Sequence, residues 1–347
     1  MSLKKKIILV IAVIAIAILN PRLVKGGYKA DHYEYPDLTA RTLGMGGASV
    51  AFIDDGTAIF HNPAGLGRVN SLNISHSHSR YHFPGETENL DLLDADPTCF
   101  IIPLSGGLFG YPIGSAGNGW ILQGELGYDY RTRNMDTVPE ERLFGLGPGD
   151  RYQGAGFHLW PGGYWGFAHR SNEYLFTSGD ELPDGVTWRR TGEGYSSGLQ
   201  QAIIPGVKFG VVYDQLDCDY LPFRDGITGE RTKTIRTGWA VEPTAWLRIA
   251  SDTERMGMKT WPSSEETEVV RRYWGVEIDL GSWATLRLGN MDGHRTSGYS
   301  YNVMGISRDA AWVDGMMEGM VGEFPDEPEG IADYHATGFR IGNQVFQ

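Results

Sequence analysis

The sequence of 347 residues has little cysteine, little basic charge and few long apolar runs. Its two cysteines, Cys99 and Cys218, are too few for a disulfide scaffold or a four-thiolate zinc site, so they are either one pair or two free buried thiols. Lysine and arginine number 30 against 43 aspartates and glutamates. Because nucleic-acid binding needs a basic surface and no basic tract follows residue 30, the sequence predicts no nucleic-acid partner.

The longest apolar run lies near the first residue. Lysines at positions 4–6 precede 13 apolar residues at 7–19. A membrane-spanning helix needs about 20 residues, whereas a shorter run after a basic stretch is typical of a secretory signal peptide. We therefore predict a signal peptide over residues 1–26, cleaved after Gly26; the alternative is an uncleaved anchor.

Beyond residue 70 the apolar residues recur with a period of two. Leu286 and Leu288 alternate with Thr285 and Arg287, a pattern that predicts a two-faced β-strand. The same alternation occurs in residues 120–131, 207–214 and 274–280. In a transmembrane barrel one face meets lipid and the other a polar lumen. We expect Leu286→Arg to cost about 2 to 4 kcal/mol if residue 286 lies near the bilayer midplane, and Arg287→Leu far less.

Connection lengths favour a barrel over a soluble β-sandwich, which is the alternative architecture. Short turns are predicted at 280–283 and 243–245, and long polar loops at 134–150 and 225–233. Outer-membrane barrels have short turns at one end and long loops at the other. Tryptophans also collect near the predicted strand ends, as an interfacial girdle requires.

The length predicts the size of the barrel. The 277 residues after position 70 give about 14 strands at roughly 20 residues for each strand and its connections. A weakly helical pattern at 309–321 and an acidic run at 323–329 predict an elaborated loop at about 308–333. The last strand is predicted at 335–346. The fold class is therefore an all-β transmembrane antiparallel barrel occupying residues 71–347.

Residues 27–70 precede the strands and lack their pattern. Their small and turn-forming residues are Gly44, Gly46, Gly47, Asp54, Asp55, Asn62, Pro63 and Ala64. The glycines permit close backbone approach, either aspartate can cap a short helix ending at Phe60, and the Asn-Pro pair ends that helix. These features predict an N-terminal plug, or hatch, inside the barrel.

Three phrases in this segment resemble a known family. They are Leu43-Gly-Met-Gly-Gly-Ala, Asp54-Asp-Gly-Thr-Ala and Asn62-Pro-Ala-Gly-Leu. Together they are similar to the N-terminal signature of the outer-membrane long-chain fatty acid transporter (FadL) superfamily, particularly its PorV-like branch. Residues 242–249 and 273–294 resemble strand-turn-strand phrases of that branch. The resemblance implies a barrel of about 14 strands with a hatch that includes Asn62, Pro63 and Ala64.

The resemblance also implies a function and a location. Such a protein transports or binds hydrophobic molecules across the outer membrane of a double-membraned bacterium. Its partners are outer-membrane lipid and a hydrophobic small-molecule ligand. The alternative is a PorV-like component of a secretion machine, which binds exported proteins or other subunits at the cell surface. The segment at 308–333 departs from the family pattern.

Two fragments imitate catalytic or metal-binding motifs. Gly194-Tyr-Ser-Ser-Gly matches G-x-S-x-G, but a nucleophile elbow needs a following helix and the sequence there predicts strands. His76, His78 and His82 share one face of a predicted strand, where we interpret them as residues lining a polar lumen rather than as metal ligands. We predict that the protein is not an enzyme and has no catalytic residues, cofactor or metal site.

Overall fold

The computed structural model describes residues 39–83, 90–106, 111–123, 143–178, 187–224, 227–262, 266–313 and 333–341. The predicted signal peptide lies outside these ranges. Among the residues that are described, no helix is both long and apolar enough to cross a membrane.

The described residues form fourteen β-strands in one closed sheet. They are β1 (Asn73–Phe83), β2 (Leu90–Gly106), β3 (Tyr111–Gln123), β4 (Leu143–Trp160), β5 (Gly163–Ser178), β6 (Thr187–Ile204), β7 (Val207–Arg224), β8 (Ile227–Thr244), β9 (Leu247–Trp261), β10 (Glu266–Asp279), β11 (Ala284–Met291), β12 (His294–Val303), β13 (Ile306–Val313) and β14 (Asp333–Ile341). Each strand pairs antiparallel with its neighbour in sequence, and β1 pairs with β14 to close the barrel. The predictions of an all-β barrel and of about 14 strands are confirmed.

The strand faces alternate as predicted. On β11, Leu286 is 46% exposed on the outer face, whereas Arg287 is 3% exposed on the inner face. Large apolar side chains such as Phe209 and Trp239 also lie on the outer face. The inner face carries glycine, alanine and charged residues together with buried apolar ones such as Ile101 and Tyr273.

The two ends of the barrel differ in their connections. Short turns at 161–162, 205–206, 245–246, 280–283 and 304–305 all lie at one end, which we call the short-turn end. At the opposite end the connections are longer at 124–142 and 314–332 but have only two residues at 225–226 and 292–293. The predicted turn at 280–283 is confirmed.

Two predicted loops were too long. The loop predicted at 225–233 is mostly strand, because β8 begins at Ile227 and pairs with β7 and β9. Likewise, β4 begins at Leu143, inside the loop predicted at 134–150. Both segments are polar and rich in glycine, a composition typical of loops, but pairing with long neighbouring strands satisfies their backbone groups.

The elaborated loop predicted at about 308–333 also begins too early. Residues 308–313 belong to β13, and Asp333 starts β14. The helix predicted from residue 309 was therefore wrong over 309–313. Asp309 interrupts an apolar pattern because it faces inward, where it contacts two arginines. Residues 314–332 and 342–347 lie outside the described residues.

His76 and His78 of β1 do not line the lumen. Asn73 and Ser75 are buried on the inner face, so His76 lies on the outer face, where its ring is 5.6 Å from that of Phe339. The side chain of His82 lies outside the described residues. In the ranges given above, no group of three or more histidines, cysteines and acidic residues could hold a metal ion. Cys99 and Cys218 are both buried, and no disulfide joins them.

Residues 39–72, which we call the N-terminal segment, precede the barrel and fold into short helical turns. They form α1 (Ala40–Gly44), α2 (Ala58–His61) and a 3₁₀-helix (Pro63–Arg68). Gly46 and Gly47 follow α1 with φ of 63° and 81°, a left-handed conformation that glycine adopts readily. The prediction that an aspartate is the N-cap of α2 was wrong. The N-cap is Thr57, whose backbone nitrogen donates a hydrogen bond to the Asp55 carboxylate at 3.0 Å.

Candidate functional site

The N-terminal segment lies against the inner face of the barrel. Six of its large apolar residues are 0–1% exposed; they are Leu43, Met45, Phe52, Ile53, Ile59 and Leu66. They form two clusters with inner-face residues, one including Ala240 and Tyr273 and the other including Ile101 and Tyr152. Burying a side chain of this size contributes about 1.5–3 kcal/mol. Exposing the six together would therefore cost on the order of 10 kcal/mol.

Glycines of the barrel wall let the backbone of the segment approach closely. A Cβ added to Gly275 would lie 2.6 Å from the carbonyl carbon of Met45, and one added to Gly289 would lie 2.6 Å from the same atom. On the other side of the lumen, a Cβ on Gly166 would lie 2.6 Å from the nitrogen of Ala64. These contacts explain some of the chain's 48 glycines, because a side chain at these wall positions would clash with the segment.

Side chains of the wall satisfy backbone groups of the segment. The Asp252 carboxylate of β9 accepts hydrogen bonds from the nitrogens of Ser49 and Val50 at 2.7 and 3.0 Å. The Gln200 amide of β6 donates to the carbonyls of Val50 and Ile53 at 3.1 and 3.0 Å. These bonds replace the water that would otherwise solvate an irregular backbone.

Asn62, Pro63 and Ala64 lie together at the start of the 3₁₀-helix. The Asn62 side chain caps this helix by accepting from the Ala64 nitrogen at 3.1 Å, and Pro63 occupies its first position. The Asn62 amide also donates to the Val50 carbonyl at 2.8 Å and to the Leu199 carbonyl of β6 at 3.4 Å. The predicted turn residues thus join two parts of the segment to the wall.

Asp54 and Asp55 are held by arginines. Arg41 of α1 donates to Asp54 at 2.9 Å and to Asp55 at 2.7 Å, and Arg340 of β14 donates to the same Asp55 oxygen at 2.7 Å. Burial alone would raise the pKa of Asp55, but Arg340 and Arg41 lower it to about 2. The arginines likewise hold the pKa of Asp54 far below its usual range against the effect of burial. Both carboxylates are charged at neutral pH.

Charged residues of the wall continue this arrangement at the short-turn end. Glu277 of β10 accepts from Arg287 at 2.8 Å and from Arg41 at 3.5 Å, and it also pairs with Arg248. Asp309 of β13 accepts from Arg340 at 2.9 Å. Each charge has at least one opposite partner, so none of them is buried without compensation. We call these residues the charge ring: Arg41, Asp55, Arg248, Glu277, Arg287, Asp309 and Arg340.

The charge ring changes the expectation for Arg287. The sequence placed it in the lumen, which is confirmed, but also predicted that Arg287→Leu costs little. In the structure Arg287 bonds to Glu277 and lies 3.4 Å from Asp309, all three nearly inaccessible to solvent. Removing one partner from a buried ion pair is costly because the remaining charge loses its compensation.

A cavity lies beside the ring at the short-turn end. Its volume is ≈ 280 Å³, and its walls include Gly206, Glu242, Thr244, Leu247, Arg248 and Asp279. Glu242 accepts from Lys208 and from Arg248, each at 2.8 Å. The hydroxyl oxygen of Thr244 is buried and has no hydrogen-bond partner.

Sequence reasoning found the small residues of the segment but missed the charges that bind it. Arg41, Glu277, Asp309 and Arg340 had no assigned role. The available signal was a charged residue at the polar position of an alternating strand, which indicates a lumen side chain. Their pairing depends on strands far apart in sequence and could not be read from spacing.

Comparison with known proteins gives matches in structure. No protein-family model matches the sequence, and no curated protein matches it. The toluene transporter TbuX of Ralstonia pickettii is 14% identical with a TM-score of 0.59, over 90% of this chain and 100% of that one. The P. putida toluene transporter TodX is 12% identical, also with a TM-score of 0.59, over 90% of this chain and 100% of that one.

A FadL homologue of Pseudomonas aeruginosa is 10% identical with a TM-score of 0.54, over 88% of this chain and 98% of that one. At these identities the likeness shows the fold, which agrees with the FadL-type barrel that the sequence predicted. The narrower resemblance to the PorV-like branch stays a prediction.

Proposed function

We propose that this chain is an outer-membrane barrel that transports or binds hydrophobic small molecules, and that its N-terminal segment is a plug. The observation that supports this proposal is that residues 39–72 lie against the inner face of a closed barrel and form hydrogen bonds and ion pairs with strands on several sides of it. A closed barrel so occupied cannot act as an open aqueous pore. The predicted hatch residues Gly44, Asp55, Asn62 and Pro63 are then the parts that shape and anchor the plug.

The outer face supports residence in a membrane. Exposed aromatic and aliphatic side chains recur there on many strands, including Trp120, Phe167, Ile235 and Leu286. In water such a surface would aggregate, whereas in lipid it is the stable arrangement. By analogy with outer-membrane barrels, the short-turn end faces the periplasm. Cleavage of residues 1–26, a hatch over 27–70 and a barrel over 71–347 belong to the same proposal.

The likeness to TbuX and TodX supports the hydrophobic class of molecule. Those proteins are described as toluene transporters, so we infer that small apolar molecules are transported here. The secretion-machine alternative stays a prediction, and no observation on the described residues favours it.

Membrane residence is tested by cell fractionation and by gel migration with and without heating. We expect the protein in the outer-membrane fraction, and we expect faster migration before heating because a closed barrel stays folded in detergent. Recovery in the periplasm, or one migration at all temperatures, contradicts the proposal.

Transport is tested by uptake of radiolabelled toluene and oleate into cells that carry the protein. We expect faster uptake of at least one of them than in cells without it, and native mass spectrometry of gently extracted protein should detect a bound apolar molecule. No gain in uptake, together with an exported protein as the only bound species, favours the secretion-machine alternative.

A further inference from the structure

The plug is held too firmly to leave the barrel for each transported molecule. Six of its large apolar residues are buried, Asp252 and Gln200 bind its backbone, and Arg340 binds Asp55. A single small molecule offers few contacts in exchange for all of these. A path to the short-turn side that leaves the plug in place would avoid this cost.

Arg248 lies between the plug and the short-turn end of the barrel. Its guanidinium lies 5.0 Å from the ring centroid of Phe52, a fully buried plug residue, and it pairs with Glu277. The same side chain forms part of the wall of the cavity at the short-turn end. Arg248 is therefore a contact between the plug and that cavity.

The cavity can receive the Arg248 side chain. One water occupies about 30 Å³ in the liquid, so ≈ 280 Å³ holds several waters and also a guanidinium group. Glu242, which already accepts from Arg248 at 2.8 Å, lies in the cavity wall with Asp279. The buried Thr244 oxygen, which has no partner, can accept a further hydrogen bond there.

This movement leaves no buried carboxylate without a partner. When Arg248 turns into the cavity, Glu277 keeps Arg287 at 2.8 Å and Arg41 at 3.5 Å. The arginine keeps Glu242. The large penalty for an uncompensated buried charge is thereby avoided. The space that Arg248 vacates would be bordered by the Phe52 ring and by Arg41, whose guanidinium lies 5.6 Å from the centroid of that ring.

We propose that the path from the lumen to the short-turn side runs past Arg248, which acts as a gate beside a plug that stays in place. This rests on the proposed function in taking residues 39–72 as a plug and an apolar molecule as the cargo. Arg248 is a gating residue, and the cavity is the exit vestibule.

The test first pins the plug to the wall by a disulfide. A Cβ at Gly56 would lie 2.9 Å from the Cys99 sulfur, close to the value of about 3 Å that a disulfide gives these two atoms. Gly56→Cys therefore needs no second substitution, although the Asn73 side chain must shift. The matched control is Gly56→Cys with Cys99→Ser, which cannot form the bond.

Ion conductance of the pinned protein in planar bilayers then tests the gate. We expect Arg248→Ala to raise conductance several-fold, and Thr244→Trp to abolish that rise by filling the cavity. Arg231→Ala is the control, because it also removes an arginine of the barrel wall, on β8, but one that pairs with the exposed Asp217 and contacts neither the plug nor the charge ring. It should conduct like the pinned parent. An equal rise in both arginine variants, or none in either, overturns the gate.

Uptake of radiolabelled toluene separates this inference from the proposed function. We expect the oxidised Gly56→Cys protein to take up toluene at the same rate as its reduced form. The control that carries both Gly56→Cys and Cys99→Ser should show that rate too. Uptake that disappears on oxidation and returns with reductant means that the plug must move, and the gate proposal is then wrong. If even the unmodified protein takes up neither toluene nor oleate, the transport proposal fails, while the conductance result still decides the gate.

Discussion

Asp55 of the N-terminal segment and Arg340 of the last strand form an ion pair of 2.7 Å across 285 positions of sequence. The same carboxylate oxygen also accepts from Arg41. Since β14 closes the barrel against β1, this pair joins the plug to the strand that completes the fold. Closure of the barrel and docking of the plug are therefore coupled.

Acid should weaken this attachment. In the folded protein the pKa of Asp55 is about 2, below its ordinary value of 3.8, so its charge stabilises the folded state above pH 4. That contribution, on the order of 2 kcal/mol, is lost as the pH falls from about 4 to 2. The midpoint of urea unfolding in detergent should be constant from pH 7 to 5 and fall below pH 4. Asp55→Asn should be less stable at pH 7 and show a smaller fall; an unchanged fall contradicts the assignment.

Leu286 and Arg287 should respond in the reverse order from the sequence expectation. Leu286 is the third residue of β11, close to the short-turn end rather than to the midplane, so Leu286→Arg should cost about 1 kcal/mol. Arg287→Leu should cost about 3 kcal/mol because it disrupts a buried ion-pair arrangement. Unfolding in lipid vesicles measures both, with Arg287→Lys as the charge-conserving control. A larger loss for Leu286→Arg would contradict this order.

Deleting residues 40–67 should open the barrel. The deletion removes the helical turns and the apolar clusters that occupy the lumen near the short-turn end. We expect low conductance for the full chain in a planar bilayer and large, stable conductance for the deleted one. Asn62→Leu, which loses the bonds to Val50, Leu199 and Ala64, should give intermittent openings. A full chain that already conducts freely, unaltered by the deletion, would place the segment outside the path.

Glycine should be required at position 275, where the plug touches the wall, and dispensable at position 257, where it does not. A Cβ on Gly275 would lie 2.7 Å from the Met45 Cα, so Gly275→Ala must displace the plug backbone. On Gly257 a Cβ would meet only the flexible Glu266 carboxylate, at 3.2 Å. We expect Gly275→Ala to lower the unfolding midpoint and raise conductance, and Gly257→Ala to change neither. Equal behaviour of the two variants would contradict close plug contact at Gly275.

Local patterns in the sequence predicted much of the barrel. Alternation placed Leu286 outside and Arg287 inside, the turn at 280–283 was confirmed, and the length of the chain gave about 14 strands. Alternation alone separates the two faces of a strand. It does not say which face is the inner one when both faces carry polar residues. That is why His76 was assigned to the wrong side of β1, whose inner face is identified by Asn73 bonding to Gly56 of the plug.

Strand ends were predicted less well for a related reason. The start of β8 at Ile227 and the end of β13 at Val313 depend on whether a neighbouring strand extends far enough to pair there. Composition reports only that such residues are polar or flexible. A hydrogen-bonded partner then decides whether they are strand or loop.

By itself, the sequence determined the class of fold, because period-two alternation is a property of neighbouring residues, and its clustered glycines predicted that the N-terminal segment is a plug. Only the tertiary structure decided which charges hold that segment and where a cavity lies beside it. Arg41 and Asp55 belong to the N-terminal segment, whereas Glu277 lies on β10 and Arg340 on β14. They meet because antiparallel register fixes which residues share a level of the wall and closure brings β14 beside β1. Neither register nor closure is visible in the spacing of residues along one strand.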